Sequence, residues 1–162
     1  MAIEIVLGAA IQGLLNAIVV AERDSVVFKL QLDRLRKTLK SVEPIMSAVL
    51  SHNTFKHYFQ KFIQEIYMAQ DLIEFYSQLR RRDWRIKRRV RKLIEHFAMY
   101  LEDFMKINVQ LIQTEEILKV LEILKKLREF FVGSEVALKH QARRSSWNGY
   151  KSSSFCFYCH EV

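Results

Sequence analysis

The chain has 162 residues, half of them apolar, with 26 Lys and Arg against 18 Asp and Glu for a formal charge of +8. That length and apolar share exclude a disordered polycation and are enough for one domain with a real core. Nine of the basic residues and a single acid, Asp83, fall between Tyr76 and Lys92, YSQLRRRDWRIKRRVRK, so the rest of the chain is electrically balanced and the net charge sits in this block.

Gly and Pro are scarce: no Gly lies between Gly13 and Gly133, and Pro44 is the only Pro. Few places are left for tight turns and many for long helices, which predicts an all-α protein, a four- to five-helix bundle with an apolar N-terminal helix. The expected domain covers residues 1–133, followed by a loosely ordered, basic, Ser-rich tail over 134–162. Both cysteines, Cys156 and Cys159, lie in that tail. A disulfide framework within the fold is thereby excluded, and a reducing, cytosolic environment is the simpler assumption.

Ala2 to Ala21, AIEIVLGAAIQGLLNAIVVA, holds one charge, Glu4, in 20 residues. As a helix this run is about 30 Å long, the thickness of a bilayer's hydrocarbon core. A cleaved signal peptide usually starts with basic residues, and here Glu4 stands instead. Glu4, Gln12 and Asn16 argue against a permanent membrane span. A bundle helix, apolar on most sides, fits the resting state best. Glu4, Gly8, Gln12 and Asn16 recur at i+4 and form a narrow polar or small stripe. Such a stripe suits a bundle helix with one edge in water and equally suits a helix lining a pore in an oligomer.

After the charged break at Glu22 to Asp24, Asp24 or Ser25 is placed to cap a second helix with core positions Phe28, Leu32, Leu35, Leu39 and Val42. Pro44 either ends or kinks it, with Ile45, Val49 and Leu50 suggesting two further turns. SHNT at Ser51 to Thr54 is the clearest interior break. A third helix is expected from Thr54 to Leu79, its core face formed by Phe55, Phe59, Phe62, Ile66, Ala69, Leu72 or Ile73, Tyr76 and Leu79; this aromatic density reads as core packing.

The basic block then spans the end of the third helix, a turn near Arg82 and Asp83, and the start of a fourth. In that fourth helix Ile86, Val90, Leu93, Phe97, Tyr100 and Phe104 form one face, with Arg85, Lys87, Arg88, Arg89, Arg91 and Lys92 on the others. Trp84 stands at the centre of the block, either as an indole for an interfacial layer or as a cap on the bundle core. KINVQLIQ, Lys106 to Gln113, fits a continued helix or a short extended connection. Thr114, Glu115 and Glu116 mark a fifth helix start, Ile117, Leu121, Leu124, Leu127 and Phe131 its face, and Gly133 its stop. One or two helical turns are expected around Glu135 to Gln141.

Little in the chain suggests catalysis. CFYCH at Cys156 to His160 matches a haem-attachment pattern only formally, offers at most three of a zinc site's four ligands, and holds cysteines that palmitoylation could use. His52, His57, His96 and His140 are not paired at metal-ligand spacing, and no glycine-rich phosphate loop is present. No enzyme activity, metal or cofactor is expected.

Several segments resemble the plant RPW-type powdery-mildew-resistance domain, also found at the N-terminus of helper NLR immune receptors. They are GAAI at Gly8 to Ile11, LDRLRKTLKSVEPI from Leu32 to Ile45, YSQLRRRD from Tyr76 to Asp83 followed by KRRV at Lys87 to Val90, and NVQ at Asn108 to Gln110. The resemblance spans about residues 1–130. It implies a helical bundle acting in plant defence at the cytoplasmic face of a membrane, the plasma membrane or the host membrane around fungal feeding structures, promoting local cell death and resistance to biotrophic fungi. It further implies an oligomer in which acids of the first helix line a cation-permeable pore, and Glu4 is the one acid available before Glu22. No nucleotide-binding module or leucine-rich repeat accompanies the domain in this sequence, so it looks like the stand-alone form.

On this reading Arg80, Arg81, Arg82, Trp84, Arg85, Lys87, Arg88, Arg89, Arg91 and Lys92 meet anionic lipid, while Glu4, Gln12 and Asn16 line a pore. A signalling adaptor that docks immune partners through its bundle surface ranks second. A nucleic-acid binder ranks last, because no base-reading module is visible and the apolar first helix has no role there.

Overall fold

In the computed structural model, residues 2–111, 116–128 and 130–131 are described, and these form an all-helical bundle. Its helices are α1 (Ala2–Asp24), α2 (Lys29–Leu50), α3 (Phe59–Gln78), α4 (Trp84–Glu102) and α5 (Ile117–Arg128). Short 3-10 segments at Asn53–Tyr58, Arg81–Asp83, Asp103–Lys106 and Val109–Leu111 connect them. The tail over 134–162, with CFYCH and Gly133, lies outside the described residues, as do Thr114 and Glu115.

The chain runs up and down through α1 to α4. Gly8 lies opposite Glu43, and Glu22 pairs with Arg36 at 2.6 Å, so α1 and α2 are antiparallel. Ser25, just past α1, meets Tyr76 near the end of α3, so the α1–α2 and α3–α4 turns share one end of the bundle. At Gly13 the absence of a side chain matters, since a Cβ there would stand 3.0 Å from the Gln70 amide oxygen on α3.

The core is continuous from Leu7 to Phe131. From α1 it takes Leu7, Ala10, Ile11, Leu14, Ala17, Ile18 and Ala21, and from α2 the expected Phe28, Leu32, Leu35, Leu39 and Val42. Ser25 does serve as a cap, its hydroxyl accepting from Phe28 N–H at 3.3 Å, but it closes a turn before α2 proper begins. Pro44 sits inside α2 without ending it. Both Pro44 and Lys40, whose carbonyl loses its helical donor, face water, so solvent can satisfy the freed group.

Three sequence expectations are corrected. The third helix opens as a 3-10 turn, and Phe59 is half-buried while Ile63, Phe75 and the carboxylate-bearing Glu65 are buried. In α4 Ile94 and Leu101 join Ile86, Val90, Phe97 and Ala98 as buried positions, with Leu93 and Tyr100 at the edge of the core. In α5 Val120 and Ile123 are buried and Ile117 and Leu121 are marginal. Both shifts have one cause: a 4-3 spacing identifies a stripe, and a second helix packed to one side selects which edge of that stripe is most enclosed. For α4 and α5 they enclose each other's edges where Phe130 meets Phe97 and Tyr100, with ring centroids 6.2 and 5.0 Å apart.

KINV does not continue the α-helix: after the 3-10 turn at Asp103–Lys106 the buried Ile107 takes an extended conformation, and a second 3-10 turn follows at Val109–Leu111. Glu65 accepts from Phe131 N–H at 3.4 Å, so this buried acid holds the chain just past α5 against α3.

Candidate functional site

The basic block folds around one turn. Leu79 and Arg80 leave the helical region with extended ψ angles, and the chain re-enters a 3-10 turn at Arg81–Asp83 before α4 begins at Trp84. Asp83 makes that reversal: its carboxylate accepts from Arg80 N–H at 3.0 Å, and its own N–H donates to the Arg80 carbonyl at 2.9 Å. The one acid of the block is buried and serves the backbone, while Arg80, Arg81 and Arg82 stay exposed on the turn.

Beyond the turn, Arg85, Arg88, Arg89 and Lys92 are exposed on α4, and Lys87 and Arg91 are half-buried. Those two face Tyr76: the Lys87 ammonium lies 5.4 Å from the centre of its ring, and Arg91 donates to its hydroxyl at 3.2 Å. Ile86, Val90 and Ile94 anchor the opposite side of α4 in the core. Amphipathic α4 thus presents its cations outward along with those of the turn, producing a single basic end. Trp84 does not cap the core; it is 56% exposed, with the Arg85 guanidinium 5.3 Å from the centre of its ring.

Glu4, Gln12 and Asn16 are all exposed on α1, and Gln12 donates its amide to Asn16 at 3.0 Å. Glu4 belongs to the far end of the bundle: twenty residues of helix separate it from Asp24, about 30 Å along the axis. Glu4 and the basic block are therefore at opposite ends, with Gln12 and Asn16 between them along α1, so the stripe and the block do not form one site.

By length and composition α1 can cross a membrane, yet less than a third of its apolar window is buried here. Ile5, Val6, Val19 and Val20 lie on its outer face with 71, 39, 40 and 54% exposure.

Two features escaped the sequence, the first of them at the basic end. Val26, Val27 and Leu30 stand out from the α1–α2 turn, exposed by 87, 65 and 81%. Their signal was present, since a core face through Phe28 and Leu32 leaves these aliphatics with no partner on α2. The second feature is a clasp between α2 and α4, where Arg34 donates to both oxygens of Glu102 at 2.8 and 2.9 Å and Thr38 adds a third bond at 3.3 Å. The hydrogen bond from Arg34 is the main cause that holds the Glu102 carboxyl below its ordinary range. Asp33 is likewise lowered, first by its hydrogen bond from Lys37 and further by Arg36.

Among the described residues no cluster of three or more His, Cys, Asp or Glu is placed to hold a metal. A shallow cavity of about 180 Å³ between Asp103, Lys106, Ile107, Lys119, Glu122, Ile123 and Lys126 mixes both charges at the end away from the basic block.

No curated protein and no solved structure matches the chain. The family model described as Arabidopsis broad-spectrum mildew resistance protein RPW8 matches residues 5–130, which cover all five helices but the start of α1. Over that span lie the uncovered apolar α1 and the basic end, and the chain belongs to this RPW8 family, a resistance-domain family associated with plant disease resistance and not a known enzyme family.

Proposed function

We propose that the protein acts in plant disease resistance at an anionic membrane, binding through its basic end and then permeabilising the bilayer by releasing α1 into it, which promotes localised cell death and resistance to mildew-type fungi. The observation that carries this reading is the one-sided burial of α1: a helix of membrane-crossing length whose outer Ile5, Val6, Val19 and Val20 remain in water.

The energetics favour two steps. If half of the nine cations of the block reach anionic headgroups, at ~1 kcal/mol each they supply roughly 4 to 5 kcal/mol, enough for reversible adhesion. Unseating α1 in water would forfeit the burial of Leu7, Ile11, Leu14 and Ile18, on the order of 6–12 kcal/mol, which keeps the helix in the bundle in solution. In a bilayer those same side chains return to an apolar medium, and Val6 and Val20, to one side of the Gln12 and Asn16 stripe, gain burial that the bundle denies them. Glu4, one turn from the end of α1, sits near the interface of such a span, where a carboxylate costs less than at the bilayer centre.

Docking by the basic end presents the C-terminal end of α1 to the surface and keeps Glu4 on the far side. Entry therefore requires α1 to swing about the Ser25–Phe28 corner, and Glu4, Gln12 and Asn16 line the polar side of a pore only when several copies assemble. The partners on this reading are anionic lipids, further copies of the chain and plant immune signalling proteins, at the plasma membrane or the host membrane around fungal feeding structures.

Dye release from phosphatidylcholine vesicles with and without phosphatidylserine tests the reading. Release that requires the anionic lipid supports it; equal release from both vesicle types, or none from either, rejects it.

A further inference from the structure

The basic end carries a second structural element whose chemistry differs from the cations beside it. Val26, Val27 and Leu30 project from the α1–α2 turn with 87, 65 and 81% of their surfaces in water, while Phe28 between them is fully buried. Side chains of the turn hold this corner against the basic block. The Ser25 hydroxyl lies 3.4 Å from that of Tyr76, and the Phe28 and Tyr76 rings meet edge to face with centroids 4.3 Å apart. The same tyrosine contacts Lys87 and Arg91. The corner that carries these three aliphatics is thus joined through Tyr76 to two cations, with Arg23 and Lys29 exposed on the corner itself and Asp24 its one exposed acid.

We infer that the α1–α2 corner is a membrane-insertion element, Val26, Val27 and Leu30 entering the interfacial layer of an anionic bilayer while the surrounding cations hold the headgroups. The inference rests on the membrane reading above and adds to it the orientation in which the bundle docks. Charge selects the occupant. A second copy of this chain would bring one basic end against another, and like charges oppose that contact. Area agrees, since three aliphatic side chains fall far short of the ~800 Å² per partner of a stable protein interface. A lipid surface needs no such area: shallow burial of a few aliphatics plus attraction to anionic headgroups suffices for peripheral binding. Trp84, exposed on the neighbouring turn of the same end, is the residue type that settles at that depth.

The test uses the full chain with Cys156→Ser and Cys159→Ser, a single Val27→Cys carrying an environment-sensitive nitrobenzoxadiazole dye, and phosphatidylcholine vesicles containing phosphatidylserine. A matched chain with Leu118→Cys reports the opposite end, because the first turn of α5 packs beside Asp103 to Ile107 and Leu118 is 75% exposed. The expected result is a blue shift and protection from an aqueous quencher at position 27 on adding vesicles, with neither change at position 118. Replacing Val26, Val27 and Leu30 together by Gln should weaken vesicle partitioning on the order of a hundredfold while leaving its salt dependence and the thermal unfolding midpoint unchanged. Vesicle binding with position 27 still open to the quencher overturns the corner as the insertion element and leaves the basic end as the lipid contact. Failure of the chain to bind anionic vesicles at all overturns the membrane reading together with it. Concentration-dependent association of the wild-type chain in solution, abolished by the triple Gln variant, would also overturn the inference by making the corner a self-association face.

Discussion

Phe28 and Tyr76 meet edge to face, ring centroids 4.3 Å apart at an interplanar angle of 71°, and this contact ties the α1–α2 turn to the basic end of the bundle. Phe28 is fully buried and Tyr76 nearly so. Truncation to Phe28→Ala should therefore destabilise the fold by about 3–5 kcal/mol in denaturant titration. Tyr76→Phe keeps the ring and removes only the hydroxyl shared by Ser25 and Arg91, so its cost should stay near 1 kcal/mol. Equal losses from the two variants would mean that the ring contact does not organise this end.

Asp83 is the acid within the cationic block, and its contribution is to the backbone. Asp83→Ala should cost about 1–2 kcal/mol of stability, since the Arg80 N–H loses its carboxylate acceptor, while Asp83→Asn should recover most of it. Both remove a negative charge from the block, so neither should weaken binding to anionic vesicles. A loss of binding in Asp83→Asn would show that the acid itself touches the ligand.

Arg80, Arg81, Arg82 and Arg88 are exposed and contribute no buried surface to the core. Reversing all four to Glu should release the chain from phosphatidylserine-containing vesicles in a flotation assay and leave thermal stability within about 1 kcal/mol of wild type. Retained binding would remove the block from the membrane contact.

The Arg34–Glu102 clasp gives the bundle an acid-sensitive component. The folded-state carboxyl of Glu102 titrates below the ordinary glutamate value of 4.5, so its contribution is fully present above that value and is lost as pH falls through the lowered one. The pair is partly exposed and screened, so the effect should be no more than about 1 kcal/mol. Glu102→Gln should be less stable than wild type near neutrality, with the difference closing in acid, as measured by denaturant midpoints at both pH values. A difference that persists unchanged in acid would assign the loss to packing.

The bundle was legible because its signals are redundant. Scarce Gly and Pro, spaced apolar residues and one polar break at Ser51 to Thr54 all point to long helices, and Phe28, Leu32, Leu35, Leu39 and Val42 are each fully buried as their spacing requires. Which edge of a stripe is most enclosed was not legible, because Ile94 replaces Leu93 only once α4 has neighbours on both sides. The cations of the site could be read directly as a run of sequence. Their apolar companions could not, because Val26, Val27 and Leu30 lie some fifty residues before the block and join it only through the fold. The distance from Glu4 to the basic end was equally hidden, since it depends on the direction in which α1 runs.

Glu4 tests the proposed pore alone. Glu4→Ala should lower cation current across planar anionic bilayers and leave vesicle binding intact, because the side chain is exposed and remote from the basic end. Equal currents from both chains would remove Glu4 from the conducting path.

The central claim is that α1 must leave the bundle for the protein to act, and a reversible tether tests it most directly. Gly13 on α1 faces Gln70 on α3, so Gly13→Cys and Gln70→Cys, in a chain with Cys156→Ser and Cys159→Ser, can be joined by a short reducible bis-thiol linker. The account predicts that the tethered chain binds phosphatidylserine-containing vesicles without releasing dye, and that cutting the linker with reductant starts release. Dye release at the same rate with the linker intact would contradict it.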